Sequence, residues 1–465
     1  MKNTYYLGID LGTSSVKALL LSREGVVCKE KCAYAEEGPR GWWAATVRAV
    51  RTLCREADEV RAIGLSSQVG TYLTDTGEVL SWQSHAGEEE LSVLLSRFSE
   101  DRFLSEIAMR HPALASYPLP RLAYIKKHFP AARAVMMPKD FLITRLTGNT
   151  VSDPYSWRGL ANFRGGYADA LLADLGLSFS LPALRAPTDL AGYLTAEAAE
   201  ECGLSPGIPV AVGLNDFFAG LLGMGVIREG DCFELSGTSE HIGYIGAPSS
   251  GNLTVSGPYL RHAVTYGGTK ASGIACSVAL ADYGAADLPA DFAPTAHTPI
   301  FLPYLTGERA PVYDGNARGV FFGTDGETSR ADMGYAMLEG VVFSLAHIAD
   351  SISLPVSARL LTCGGSASNR LMASLKAELF GKEILLAAEN DGSALGAGVI
   401  AAVSDGAYPD LETAVSALVS YTPIARPASE QRAKILRARF DLYRSLYPSL
   451  RQNFAKLQEI KEFYQ

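Results

Sequence analysis

The run Gly8-Ile9-Asp10-Leu11-Gly12-Thr13-Ser14 sets a carboxylate at the end of an apolar strand, immediately before a tight turn rich in backbone N–H and hydroxyl donors. Such a turn can cradle a polyphosphate, and Asp10 can hold Mg2+ directly or through its waters. Asp and Gly also build ordinary hairpin turns, so this run alone leaves both readings open. A second turn of the same kind, Ser236-Gly237-Thr238-Ser239, lies far along the chain. Two phosphate-sized turns in one chain can face each other across a cleft. A third cluster, Thr362-Cys363-Gly364-Gly365-Ser366-Ala367-Ser368-Asn369, reads as a strand running through Gly-Gly into a helix from about Arg370. Unpaired N–H groups and the helix dipole make such a junction a nucleotide platform; the competing reading is a helix cap in a glycine-rich crossover. It is neither a Walker A motif nor a GxGxxG fingerprint.

Asp216 is the candidate acid/base residue. An apolar strand ends at Gly213, Asn215-Asp216 follow, and a helical run begins at once, so the helix N-terminus is expected to keep the carboxylate ionised. It can then accept a hydroxyl proton in phosphoryl transfer, where positioning matters more than base strength. Helix capping is the commoner fate of Asp before a helix, and on this residue alone it stays the stronger reading. The seven histidines show no metal-ligand spacing. Trp42-Trp43 open a helix and read as core, whereas Trp82 follows a strand and the turn Asp75-Thr76-Gly77 and can line a pocket.

The elements that must position these residues are strands alternating with longer helical patterns, which predicts an α/β protein with mixed sheets. The first hairpin joins Tyr5–Asp10 to Val16–Leu21, with a third strand after Gly25; Cys232–Tyr244 repeats strand, Gly-Thr-Ser, strand. That repetition predicts two related halves meeting between Gly225 and Gly230, one domain over 1–226 and another over 227–465. The stretch from Glu430 to Gln465 predicts a charged helix interrupted near Pro448.

With 465 residues, about two to four domains fit. Hydrophobic residues at 48% and charged residues at 20% predict a packed globular core. The formal net charge of −9 argues against an extended nucleic-acid or anionic-membrane footprint, while allowing a local basic pocket. Seven scattered cysteines without a CxxC pair point to a reducing compartment. No apolar stretch approaches the roughly 18 residues of a membrane helix, and Asp10 breaks the apolar N-terminus, so a soluble cytoplasmic protein is expected.

Taken together, these segments resemble the FGGY family of carbohydrate kinases over nearly the whole chain. The likeness is carried by Gly8–Lys17, Lys139-Asp140-Phe141-Leu142 with Arg145-Leu146-Thr147-Gly148, Asn215-Asp216, Ser236–Ser239 and Gly364–Asn369. The stretch Phe301–Pro311, continued by Asn316–Gly323 and Leu338–Val341, is similar to the xylulokinase branch in particular. The resemblance implies two ribonuclease H-like, actin-like ATPase domains with sugar and ATP meeting in an interdomain cleft. It implies Mg2+ at Asp10, and Thr13, Ser14 and Lys17 beside the transferring phosphate. Asp216 would be the general base on the sugar hydroxyl, with Asn215, Gln68, Val69 and Trp82 on the sugar. Gly237 and Thr238 would bracket the phosphates, and Gly364, Gly365 and Asn369 would seat the nucleotide. A homodimer is compatible with it.

Departures fall on the sugar side. Where the family commonly reads Gly-Gln-Met-His-Gly, this chain has Ser67-Gln68-Val69-Gly70-Thr71; its Trp-x-Asp-x-Arg becomes Trp82-Gln83-Ser84-His85-Ala86, and its Lys-x-x-Trp becomes Arg121-Leu122-Ala123-Tyr124. Losing several substrate-facing polar groups should change which sugar fits. An ATP-dependent kinase acting on a terminal hydroxyl of a ketose or polyol is expected, with specificity shifted from D-xylulose. A catalytically weak sugar or nucleotide sensor is the alternative; an actin-like ATPase is disfavoured by the segments between Phe301 and Gly340.

Overall fold

A computed structural model of the protein describes residues 4–56, 59–110, 114–236, 240–247, 255–356 and 359–464. The chain divides into two compact units, Met1–Ile227 with Asp391–Val419, and Arg228–Asn390 with Ser420–Gln465.

In the first unit β1 (Thr4–Leu11), β2 (Ser15–Ser22) and β3 (Gly25–Ala33) form an antiparallel meander. β1 and β2 are nearly continuous apolar runs and are buried almost throughout, as strands covered on both faces must be. β3 carries alternating polar residues and lies at the sheet edge. α1 (Pro39–Leu53) starts on a proline, whose fixed φ suits a first helical turn, and buries Trp42, Trp43, Ala49 and Val50. β4 (Glu59–Ser67) pairs parallel to β1. With β5 (Leu190–Tyr193) and β6 (Pro209–Ala211) the order is β5-β6-β4-β1-β2-β3, and β7 (Leu214–Asn215) pairs with the end of β4. α2 (Asp216–Gly223) follows β7 without a loop.

The second unit opens with β8 (Cys232–Ser236), β9 (Glu240–Gly246), β10 (Val255–Tyr259) and β11 (His262–Thr269), and continues through α3 (Arg330–Ser351), β12 (Arg359–Gly364), α4 (Arg370–Phe380) and β13 (Glu383–Ala387). The chain then returns to the first unit as α5 (Gly392–Ser404), before β14 (Tyr421–Ala425) and α6 (Glu430–Glu462) complete the second. The second sheet runs β10-β11-β9-β8-β12-β13-β14. Its pairing repeats the first: β8, like β1, is antiparallel to the next strand and parallel to a strand reached by a long connection.

Residues 391–419 pack with the first unit, although they lie in the chain within the second domain expected over 227–465. The cause is close packing. α5 reads Gly-Ser-Ala-Leu-Gly-Ala-Gly and lies directly on the backbone of β1 and β4. A Cβ on Gly8 would stand 2.1 Å from the Ala394 carbonyl oxygen, and one on Gly64 1.9 Å from that of Ala397. Arg61 then grips the end of the helix, its Nε and Nη2 donating to the Asp405 carboxylate at 3.2 and 3.3 Å.

The helix expected to be interrupted near Pro448 needs a correction, because α6 continues through it. The ring removes one backbone donor, but packing on either side holds the helix: Phe440 and Tyr443 are fully buried, and the Tyr447 hydroxyl donates to Asp314 at 2.8 Å. No helix among the described residues is long and apolar enough to cross a membrane. All seven cysteines are in the thiol form.

Candidate active site

Parallel pairing brings the two candidate carboxylates to one edge of the first sheet. Asp10 is the penultimate residue of β1 and pairs with Ser66 of β4; Asn215, ending β7, pairs with Ser67, the last residue of β4. Asp10 and Asp216 thus flank the end of a shared strand, at the carboxyl edge where open α/β sheets bind ligands. Asn215 caps α2, its Oδ1 accepting from the Phe218 N–H at 3.0 Å while its Nδ2 donates to the Tyr155 carbonyl at 3.0 Å. The capping role thereby falls to Asn215. Asp216 keeps its carboxylate outside that role, accepting from the Phe217 N–H at 2.8 Å.

Burial pushes Asp216 up to about 7, and the negative charge of Asp10 pushes the same way, against the Phe217 and Val69 backbone N–H groups. The expectation that the helix N-terminus keeps this carboxylate fully ionised is therefore corrected: desolvation and a like charge outweigh the dipole. Asp10 is itself raised to about 6, chiefly by burial, with the Ser66 hydroxyl and Lys17 pulling it back. Two neighbouring carboxylates titrating near neutrality are suited to proton transfer.

Asp10 Oδ1 is buried and has no hydrogen-bond partner. No group of three or more His, Cys, Asp or Glu able to hold a metal occurs among the described residues. One open carboxylate oxygen without a protein cage fits Mg2+, which is commonly held by one or two carboxylates together with substrate phosphates. Lys17 stands opposite Asp10 in the register, yet its Nζ pairs with Asp391 Oδ1 at 3.1 Å, and Lys29 holds the other oxygen at 3.2 Å.

The predicted sugar-side residues converge on the same edge. Gln68 follows β4, and its backbone N–H donates to the Leu11 carbonyl at 2.9 Å; the Val69 N–H faces Asp216. The Thr71 hydroxyl donates to Gln68 Oε1 at 3.4 Å and accepts from the Trp82 N–H at 3.1 Å. The Trp82 indole then donates to the Thr13 hydroxyl at 3.1 Å, joining its own loop to the first Gly-Thr-Ser turn. Arg121, fully buried, donates to Ser84 Oγ at 2.7 Å and to the Ser81 and Ser84 carbonyls at 2.9 and 3.1 Å. It anchors the turn that carries Ser84. Thr13, Ser14, Gln68, Thr71, Ser81 and Ser84 line a cavity of about 690 Å³, within the range of small-molecule sites. A cavity of about 700 Å³ around Tyr6, Arg61 and Asp405 lies at the opposite end of β1, away from these carboxylates.

In the second unit the register sets Ser236 beside Gly364. Gly364 has φ +110°, and a Cβ there would stand 1.8 Å from the Ser236 carbonyl oxygen, so only glycine fits. The Gly365 N–H donates to that oxygen at 3.1 Å, and Gly365 itself is exposed with open space around it. Asn369 caps α4, its Oδ1 accepting from the Met372 N–H at 3.0 Å. Gly237 and Thr238 lie outside the described residues.

Reading the sequence missed Asp391, Tyr34 and Glu240. Asp391 precedes Gly392-Ser393 at a helix start, a legible anchoring signal. The Tyr34 hydroxyl donates to the Gly12 carbonyl at 2.7 Å, bracing the first turn, and nothing in its spacing announces this. Glu240 stands on a strand otherwise rich in apolar residues, where a buried charge is the signal.

Residues 5–223 match the N-terminal domain, and residues 261–404 the C-terminal domain, of the FGGY family of carbohydrate kinases. The xylulose kinase of Klebsiella pneumoniae is 30% identical over 442 residues, covering 86% of this chain and 90% of that protein. Two solved structures from Lactobacillus acidophilus, a gluconate kinase and a ligand-bound xylulose kinase, each superpose with TM-score 0.87 at 24% identity, covering 98% of this chain and all of theirs. These likenesses confirm the actin-like, ribonuclease H-like fold in both units. With these matches spanning most of its length, the chain belongs to the FGGY family of carbohydrate kinases, phosphotransferases that use ATP.

Proposed function

We propose that the protein transfers the terminal phosphoryl group of ATP to a terminal hydroxyl of a small sugar, a ketose or polyol, with Asp216 as the general base. The observation carrying this reading is the pairing of Asp10 and Asp216 across the end of β4, with Asn215 relieving Asp216 of the capping role. As the base, Asp216 accepts the proton of the attacking hydroxyl while the sugar oxygen bonds to phosphorus and the bond to the ADP oxygen breaks. Asp10 would hold Mg2+, which when bound neutralises charge on the phosphate oxygens. The Thr13 and Ser14 turn sits beside the phosphate, and Gln68, the Val69 backbone and Trp82 orient the sugar. Asn215 acts through Asp216 as a positioning residue, and Lys17 balances charge behind Asp10. The first unit takes the sugar and the transferring phosphate; the second seats the nucleotide at Gly237, Thr238, Gly364 and Gly365, with Asn369 fixing the helix start.

Specificity is shifted from that of the relatives named for xylulose. Ser84 replaces an acid above Arg121, and Val69-Gly70 replaces a Met-His pair, so the polar groups that would single out one ketose are changed. A coupled ADP-release assay over ketoses, polyols and sugar acids tests the reading. Sugar-stimulated turnover, best on a substrate other than D-xylulose, is expected. Sugar binding by calorimetry without stimulated turnover on any of them would make the protein a sensor instead.

A further inference from the structure

Glu240 opens β9 immediately after the second Gly-Thr-Ser turn, and it is completely buried. A carboxylate in that position needs a reason, since burying one without partners is costly. Its Oε1 accepts from the Ser236 hydroxyl at 2.8 Å and from the Ser366 hydroxyl at 2.7 Å, and the two hydroxyls also contact each other. Ser236 ends β8 on one side of the turn, whereas Ser366 belongs to the glycine turn after β12. One carboxylate oxygen thus ties together the two loops assigned to the nucleotide. Its other oxygen, Oε2, is buried without a hydrogen-bond partner. The buried cation near it, Lys376, is in direct contact with Glu234. Neither solvent nor a dedicated ion pair explains the placement.

We infer that Glu240 is a positioning residue for ATP: it fixes the end of β8 at Ser236 against the 364–366 turn, so that the backbone N–H groups of that turn are aimed at the phosphates. This rests on the proposal that this turn seats the nucleotide. Both serine hydroxyls spend their protons on Glu240, so neither is left for a phosphate, and contact from the 364–366 turn falls to backbone donors, whose direction depends on loop spacing. Glycine at 364 lets the chain approach closely enough for the staple to form.

The test compares Glu240→Ala, Glu240→Gln and Ser366→Ala in the full chain, measuring ADP affinity by calorimetry with Mg2+, KM for ATP and for the best sugar, and thermal midpoint. Loss of two charge-assisted hydrogen bonds predicts a rise of about tenfold or more in the ADP Kd and ATP KM of Glu240→Ala. Its sugar KM should stay within about twofold. Glu240→Gln, whose amide oxygen can accept the same hydroxyls, should restore most of the affinity, and Ser366→Ala should fall between. Wild-type ADP affinity in Glu240→Ala, or sugar and nucleotide affinity lost in parallel with the midpoint, overturns the assignment. Should Glu240→Ala not fold, unchanged ADP affinity in Ser366→Ala does the same. Gly365→Trp separates the two levels. If it leaves ADP binding intact, the nucleotide seat itself is misplaced; if it abolishes binding while Glu240→Ala does nothing, only the staple fails.

Discussion

The two Gly-Thr-Ser hairpins use one topology for opposite purposes. In the first, a carboxylate precedes the turn: Asp10 on β1 keeps an open oxygen and faces a second carboxylate, Asp216. In the second, the carboxylate follows the turn: Glu240 on β9 is committed to two serine hydroxyls. Each lies near a lysine that another acid already holds, Lys17 by Asp391 and Lys376 by Glu234. What separates them is the group facing the carboxylate. Burial, reinforced by the charge of Asp10, keeps Asp216 protonatable near neutrality, whereas two hydroxyl donors make Glu240 a fixed acceptor that shapes a loop.

The strongest way to break this contrast is Asp216→Ala, expected to lower kcat about 10²- to 10⁴-fold in a coupled ADP-release assay while ADP affinity stays near wild type. Near-wild-type turnover would show that Asp216, the acid facing the first hairpin, is not the base. The pH profile sharpens it. With Asp216 at about 7, kcat/KM should fall about tenfold per unit below that pH as the base is protonated.

The same group has a stability signature. Its folded value, about 7, lies above the ordinary 3.8. The folded state therefore binds more protons between these values and loses stability as pH rises through that window. Asp216→Asn should raise the thermal midpoint at pH 8, with the gain disappearing toward pH 4. A constant gain across that range would show that desolvation of the charge is not its cause.

Next in size is a pair on the second hairpin's partner loop. Gly364→Ala should cost about 1–3 kcal/mol in denaturant unfolding and weaken ADP binding, because its Cβ strikes the Ser236 carbonyl at a positive φ. Gly365→Ala, with open space, should change stability by about 0.5 kcal/mol or less. Equal effects from both would show that close approach is not what the loop requires. The smallest expected effect is Trp82→Phe, which removes one exposed hydrogen bond to Thr13 and should raise the sugar KM by roughly two- to tenfold.

Much of this was legible from residue order. Asp10, Asp216 and the glycine turns stand at strand ends and helix starts, and local pattern marks such junctions. The α5 segment was not legible as part of the first unit, since its small-residue face becomes meaningful only when set against Gly8 and Gly64, hundreds of residues away in the chain. Pro448 misled for a related reason: the local cost of a proline is visible in sequence, whereas the packing of Phe440 and Tyr443 that offsets it is not.

Residue types alone established the chemistry available: carboxylates at two strand ends, donor-rich turns and a kinase-like order of motifs. The tertiary structure decided which of these groups stay free. Asn215 takes the cap and leaves Asp216 protonatable, Asp391 claims Lys17, and Asn369 is spent on a helix start. A side chain's type sets what it can exchange, but its competition with neighbours for protons and charge depends on distances of a few ångströms, and only the folded chain sets those.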